Sequence, residues 1–152
     1  MFDTSAVGGD TVDSAILSQQ LNYVSGGDSN SNQNINVCTS DPASDTAIVA
    51  GDYDITSLGS TKLTTDFTIT SAMSTSAYRD LTLNASGEAE IDGSGVSKFS
   101  IRFSRDMDNS DPSTNKIRVK GLYAETSGTT GDPKLVVEHS SCLLYTSDAA
   151  DE

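Results

Sequence analysis

The chain of 152 residues has no tryptophan, a single histidine, three prolines and only nine lysines and arginines against 22 acids. Each scarcity closes off a class of chemistry. A formal net charge of −13, with no Lys/Arg cluster and no basic aromatic stripe, repels a phosphate backbone and excludes nucleic acid as a partner. No apolar run approaches the ~20 residues that a helix needs to cross a bilayer, and no basic segment leads into an apolar core at the start. His139 stands beside Glu138 just past the last strand signal, where a surface position is expected rather than a general base. Neither a Gly-x-Ser-x-Gly elbow nor a phosphate loop nor a His-rich metal signature is present. Glu88 and Glu90 in "SGEAEID" would share one face of a strand, the nearest approach to the paired carboxylates of a glycosidase or lyase. Solvated surface acids are the simpler reading of both, and the chain is expected to have no catalytic residues and not to be an enzyme.

The last eleven residues, "CLLYTSDAADE" at 142–152, break with the Ser/Thr/Asn/Asp/Gly texture of everything before them. They resemble the frame translation of a transposase-type sequencing-library adapter. That likeness implies a non-native tail at 142–152 and a natural sequence cut at or just after Ser141, so residues 1–141 are treated as a single β-sandwich domain fragment. Setting aside the tail's three acids moves the net charge from −13 to about −10, still strongly acidic. It also leaves Cys38 as the one cysteine, which excludes a disulfide framework or a thiolate metal cluster. In "INVCTS" that cysteine reads as a small, partly buried strand residue with no histidine near it in sequence to activate it.

What is present is period-two alternation in short runs. Ala15, Leu17, Leu21 and Tyr23 fall on one face of "SAILSQQLNYV", interrupted by Gln19. The pattern recurs at Ile35 and Val37, at Phe67 and Ile69, at Leu81 and Leu83, and most cleanly at Phe99, Ile101 and Phe103 in "SKFSIRFS". "KIRVKGLYA" places Ile117 and Val119 inward, with either Leu122 or Tyr123, and "KLVVEHS" places Leu135 and Val137 inward. Seven strand signals separated by "SGGDSNSN", "DGSGVS", "DNSDPSTN" and "TSGTTGDP" predict an all-β, antiparallel, jelly-roll-like β-sandwich. Its expected core is Leu17, Leu21, Ile35, Val37, Ile69, Leu81, Leu83, Phe99, Ile101, Phe103, Val119, Leu135 and Val137. One short helix is expected from a Ser44 or Asp45 cap through Val49, ending near Gly51.

Two constellations could bind something. "RDMDNSDPSTN" brings Asp106, Asp108, Asn109 and Asp111 within six residues, oxygen donors suited to calcium. It is not an EF-hand, since the glycine position holds Asp111 and the closing acid position holds Ile117, and the same residues serve tight loops that bond their own backbone. A structural calcium ion is therefore the one cofactor the sequence offers. Tyr53, Tyr78 and Tyr123 are the candidates for an aromatic platform that stacks on sugars, with core or edge packing as the competing role of each.

"FDTSAV" at 2–7 followed by "VDSAILSQQLNYV" at 12–24 resembles the opening of the DNRLRE-type jelly-roll domains. "DPASDTAIVAGDYD", "RDLTLNASGEAEIDGSGVSKFSIRFSRDMDNSDP" and "YAETSGTTGDPKLVVEHS" are similar to the rest of a tailed-phage and metagenomic branch, so the likeness runs over nearly all of residues 2–140. The closing Gly-Thr-x-x-Asp-Pro-Lys-Leu-Val-Val is its most specific part. "GLYAE" replaces the commoner Tyr-Tyr-Ala-Asp, and the family's one or two strands before the Phe-Asp-Thr-Ser turn imply that Met1 lies inside a longer frame, so the domain is expected to be truncated at both ends. The resemblance implies a non-catalytic structural or adhesion module of a phage tail or virion appendage, in the virion or extracellular, with other virion proteins or cell-surface glycans as partners. The alternative is a carbohydrate-binding module of a secreted bacterial polysaccharide-degrading enzyme.

Overall fold

A computed structural model describes residues 1–26, 33–54, 57–70, 73, 76–110, 117–124 and 130–141. The tail at 142–152 and Asp111 lie outside the described residues. Among those described, nine antiparallel strands and a few single helical turns make an all-β sandwich.

The spine is β2, Thr11–Gly26. One stretch of it pairs with β5 (Tyr78–Thr82), Leu17 opposite Leu81. An overlapping stretch pairs along its other side with β9 (Lys134–Ser140), Leu17 opposite Leu135, and the far end of β2 pairs with β8 (Ile117–Gly121), Val24 opposite Val119. Register shifts between Val12 and Ser14 and between Leu21 and Tyr23 let one strand serve three partners. The second sheet is β4 (Phe67–Ile69), β3 (Gln33–Thr39) and β7 (Phe99–Phe103), with Ile35 between Phe67 and Phe103 and Val37 opposite Ile101. Two short strands, β1 (Phe2–Asp3) and β6 (Val96–Ser97), form a separate pair.

Ala15, Leu17, Leu21, Ile35, Val37, Leu63, Ile69, Leu81 and Leu83 form the buried core, and Phe99, Phe103, Val119, Leu135 and Val137 pack against it. All seven strand signals are strands. Ile101 departs from the expected core, for it is 36% exposed beside a gap of about 210 Å3 between the sheets that Gln19 and Gly121 also line. The space a side chain at Gly121 would take is occupied by Gln19, 2.8 Å from where that Cβ would stand, and the gap beside them leaves Ile101 without full cover. At the end of β8, Leu122 is half-buried and Tyr123 is 64% exposed.

Strand β3 is covered on both faces, and alternation fails there: Asn36 and Cys38 are as buried as Val37. The cover beside β3 is the irregular segment 57–66. Leu63 N–H donates to the Val37 carbonyl, and Asn84 N–H donates to the Leu63 carbonyl. Thr64 bridges Leu83 just beyond β5, so this segment ties the two sheets together. The Asn36 side-chain amide takes the place of a backbone amide against Thr64. Its Nδ2 donates to the Thr64 carbonyl at 3.0 Å and to Asp66 Oδ1 at 3.0 Å, while its Oδ1 accepts from Thr64 N–H at 3.1 Å and from Thr64 Oγ1 at 2.8 Å. The hydrogen bond from Ser104, then those from Asn36 and the nearby Lys62 and Asn34, hold the Asp66 carboxyl below the usual aspartate range against the opposing effect of desolvation.

The expected helix after Ser44 is absent. Ser44 Oγ accepts from the Thr46 and Ala47 N–H groups as an isolated turn, and a 3-10 turn follows at Ala50–Tyr53, where Asp52 accepts from Val49 N–H at 2.8 Å. Two other helical turns occur instead: α1 at Ala85–Glu88, capped by Asn84, and α2 at Ser104–Met107. The first overturns the shared strand face of Glu88 and Glu90. Glu88 ends α1 and Glu90 lies in the turn beyond it, because Asn84 Oδ1 accepts from Gly87 N–H and coils the chain there.

Candidate functional site

A polar groove of about 350 Å3 lies where the 92–98 turn meets the end of β3, lined by Thr39, Ser40, Asp45, Glu90, Asp92 and Lys98 among others. Local chemistry builds the turn. Asp92 Oδ1 accepts from Ser94 N–H at 2.8 Å and Ser94 Oγ at 2.7 Å, which holds the carboxyl below its ordinary range and keeps it ionised. Thr4 Oγ1, donating to the Asp92 carbonyl at 2.7 Å, and Ser97 Oγ, accepting from Asp92 N–H at 2.9 Å, anchor that turn to β1 and β6. Gly93 is required at the close approach in this turn, since a Cβ there would run into the backbone carbonyl of Gly8.

Across the groove Lys98 Nζ meets Asp45 Oδ1 at 2.7 Å, and that hydrogen bond holds the ammonium above its ordinary range. The lining therefore offers a fixed cation, ionised carboxylates and hydroxyls within one concavity. Such a surface can exchange hydrogen bonds with a polyhydroxyl ligand. None of the described lining residues is aromatic, so ring stacking is not part of it.

The sequence candidates are dispersed. Tyr78 is half-buried, donates its hydroxyl to the Asp132 carbonyl at 3.0 Å and lies under Lys134 Nζ, 4.1 Å from the ring centre. That is an edge-packing role, with a cation over the ring face where a sugar would stack. Tyr123 is exposed past the end of β8, and the Tyr53 side chain lies outside the described residues. Neither Tyr78 nor Tyr123 lines the groove.

Asp106 is engaged by the Arg102 guanidinium, with Nε and Nη2 each 2.8 Å from Oδ2. Asp108 accepts from Lys62 Nζ at 3.0 Å. Asn109 adopts a left-handed φ of 49° and ends α2: its N–H donates to the Asp106 carbonyl, and Ser110 N–H to that of Arg105. This is a Schellman motif, in which asparagine tolerates the conformation that glycine usually supplies. Among the described residues no three His, Cys, Asp or Glu side chains gather as metal ligands. The described acids of the loop are thus each held by the protein's own cation, a poor fit to a calcium cage.

His139 lies within β9 rather than past it, and its Nδ1 is 2.7 Å from Asp10 Oδ2. Ser141 Oγ donates to the same carboxylate, at 3.1 Å, rather than to the ring, so the three do not form a nucleophile, base and orienter in series. Cys38 is buried, with Ser100 Oγ 2.9 Å from its Sγ. The groove was not foreseen from sequence; its only signal was the turn-forming "DGSGVS". Scans of family models, of curated proteins and of solved structures each found no match to this chain.

Proposed function

We propose that the chain is a non-catalytic β-sandwich module of a phage tail or other virion appendage, and that its polar groove contacts surface glycans. The likeness of residues 2–140 to DNRLRE-type domains supports the virion placement. The observation that carries the adhesion reading is the groove between Asp92 and Lys98, whose charges are fixed by Ser94 and Asp45 before any ligand arrives. The separation of Glu88 from Glu90 at the end of α1, and the engagement of His139 by Asp10, favour binding over turnover.

A glycan array probed with the full chain tests it. Binding to at least one glycan is expected, with loss in Lys98→Ala while the circular dichroism spectrum stays unchanged. An array with no binding removes adhesion and leaves a purely structural role. Binding confined to insoluble plant or microbial polysaccharides moves the reading to a targeting module of a secreted enzyme. Turnover of a polysaccharide, lost in Glu90→Gln, overturns the non-catalytic assignment.

A further inference from the structure

We propose that two copies of this chain pair edge to edge through β9, antiparallel, about a two-fold axis that passes beside Val136. Strand β9 is seven residues long, contains no proline and is hydrogen-bonded to β2 along one side. Among the described residues no strand occupies its other side. An edge of this kind exposes a row of N–H and C=O groups ready to receive another strand.

The sequence of β9 selects the partner. A two-fold axis perpendicular to the sheet keeps each side chain on its own face, so opposed residues are separated by an even number of positions. Centring on Val136 sets Val136 against Val136, Leu135 against Val137 and Lys134 against Glu138, twice over by symmetry. Directly opposed side chains of an antiparallel pair stand about 4.5–5.5 Å apart at Cβ, within reach of an ion pair. Moving the centre to Val137 opposes Val136 to Glu138, and moving it to Leu135 opposes Lys134 to Val136. Only the Val136 register matches charge with charge and apolar with apolar.

The faces agree with the same register. Lys134, Val136 and Glu138 are exposed, Val136 by 53%, while Leu135 and Val137 are half-buried on the core side. Pairing would extend the core face across the axis and cover Val136. In the single copy the two charges lean back onto their own sheet, Lys134 over the Tyr78 ring and Glu138 accepting from Ser14 Oγ at 2.8 Å. Dimerisation exchanges those two contacts for ion pairs between the copies.

Two other edges, β8 and β7, do not match themselves when centred in the same way. Strand β8 centred on Val119 opposes Arg118 to Lys120, two like charges. Strand β7 centred on Ile101 opposes Ser100 to Arg102, and Arg102 is already held by Asp106 and by the Gly59 carbonyl. The proposal does not depend on the glycan reading.

Sedimentation equilibrium of the full chain at about 0.15 M salt, where the repulsion between two acidic copies is screened within about 8 Å, tests it. The wild type is expected to approach twice the chain mass as concentration rises. Lys134→Glu, Glu138→Lys and Val136→Lys are each expected to give single-chain mass with an unchanged circular dichroism spectrum, and the double variant Lys134→Glu/Glu138→Lys to restore the dimer. A wild type that stays at single-chain mass overturns the proposal, as does a double variant that stays monomeric or a charge-reversed single variant that still dimerises. Growth beyond the dimer also overturns it, since a closed two-fold pair leaves no β9 edge for a third copy.

Discussion

Removing the Asn36 side chain tests the account of how the two sheets are joined. Asn36 is fully buried, and all four hydrogen-bonding positions of its amide are used, three on Thr64 and one on Asp66. Asn36→Ala strands the Thr64 N–H and carbonyl in a buried site. At about 1–3 kcal/mol for each orphaned group, the expected loss is about 3–4 kcal/mol, a large share of the roughly 5–15 kcal/mol that holds a domain together. For a chain of this size that lowers the melting temperature by about 10 °C. Urea unfolding followed by circular dichroism measures it. Asn36→Asp keeps the shape but turns the 3.0 Å donor contact to Asp66 into two opposed carboxylates. At neutral pH this variant should be less stable than wild type. Repulsion raises the carboxyl pKa values of the pair, so the penalty is present above them and is relieved as pH falls. An Asn36→Ala protein within about 1 kcal/mol of wild type, or an Asp variant whose deficit does not shrink in acid, would refute the bridging role.

Leu63→Ala, at a site only 1% exposed at the same junction, should cost about 2–5 kcal/mol in the same unfolding assay; a smaller loss would mean the segment is peripheral. Asp66 has a folded pKa below its ordinary 3.8, so its contribution is complete above that value and is lost as pH falls through the folded value. Wild type should therefore lose urea stability below about pH 4 more steeply than Asp66→Asn, and parallel curves for the two would contradict this. Because Arg102 and Lys62 already hold Asp106 and Asp108, the melting temperature should be unmoved by chelator or by added calcium. A gain near 2.7 kcal/mol at a hundredfold excess over a dissociation constant would instead place the ion in that loop.

Period-two alternation sufficed for the strands because most of them have one face on the core and one in water. Leu17, Leu81 and Leu135, opposed across three strands, were each visible in isolation. Alternation misled at Ile101, which borders a gap that Gln19 and Gly121 also line, and was silent about Asn36, whose partner Thr64 lies 28 residues away in sequence. That segment, "SLGSTKLTTD", has two leucines five apart and no periodicity, so Leu63 could not be assigned to the core in advance. Strands β1 and β6 are two residues each, too short to carry a pattern. The groove escaped for a related reason. Asp45, Glu90 and Lys98 meet only through tertiary structure, and each looks like an ordinary surface charge where it stands in the chain. The helix-ending role of Asn109 is carried by its left-handed φ and the backbone bonds of Asn109 and Ser110, which a row of Asp and Asn residues in sequence does not reveal.

Strand β2 also sets a timetable for synthesis. Its Thr11 end finds its partner only in β9, at Ser140, 129 residues later (140 − 11). At roughly 5–20 residues per second, a ribosome delivers β9 between about 6 and 25 s after β2 has emerged. Leu17 gains Leu81 on one side only about midway through that interval and has nothing beside it on the other until β9 arrives, so the longest of the described strands waits as an open template. Its polar alternate positions, Ser14, Ser18 and Gln20, are what keep that wait compatible with water.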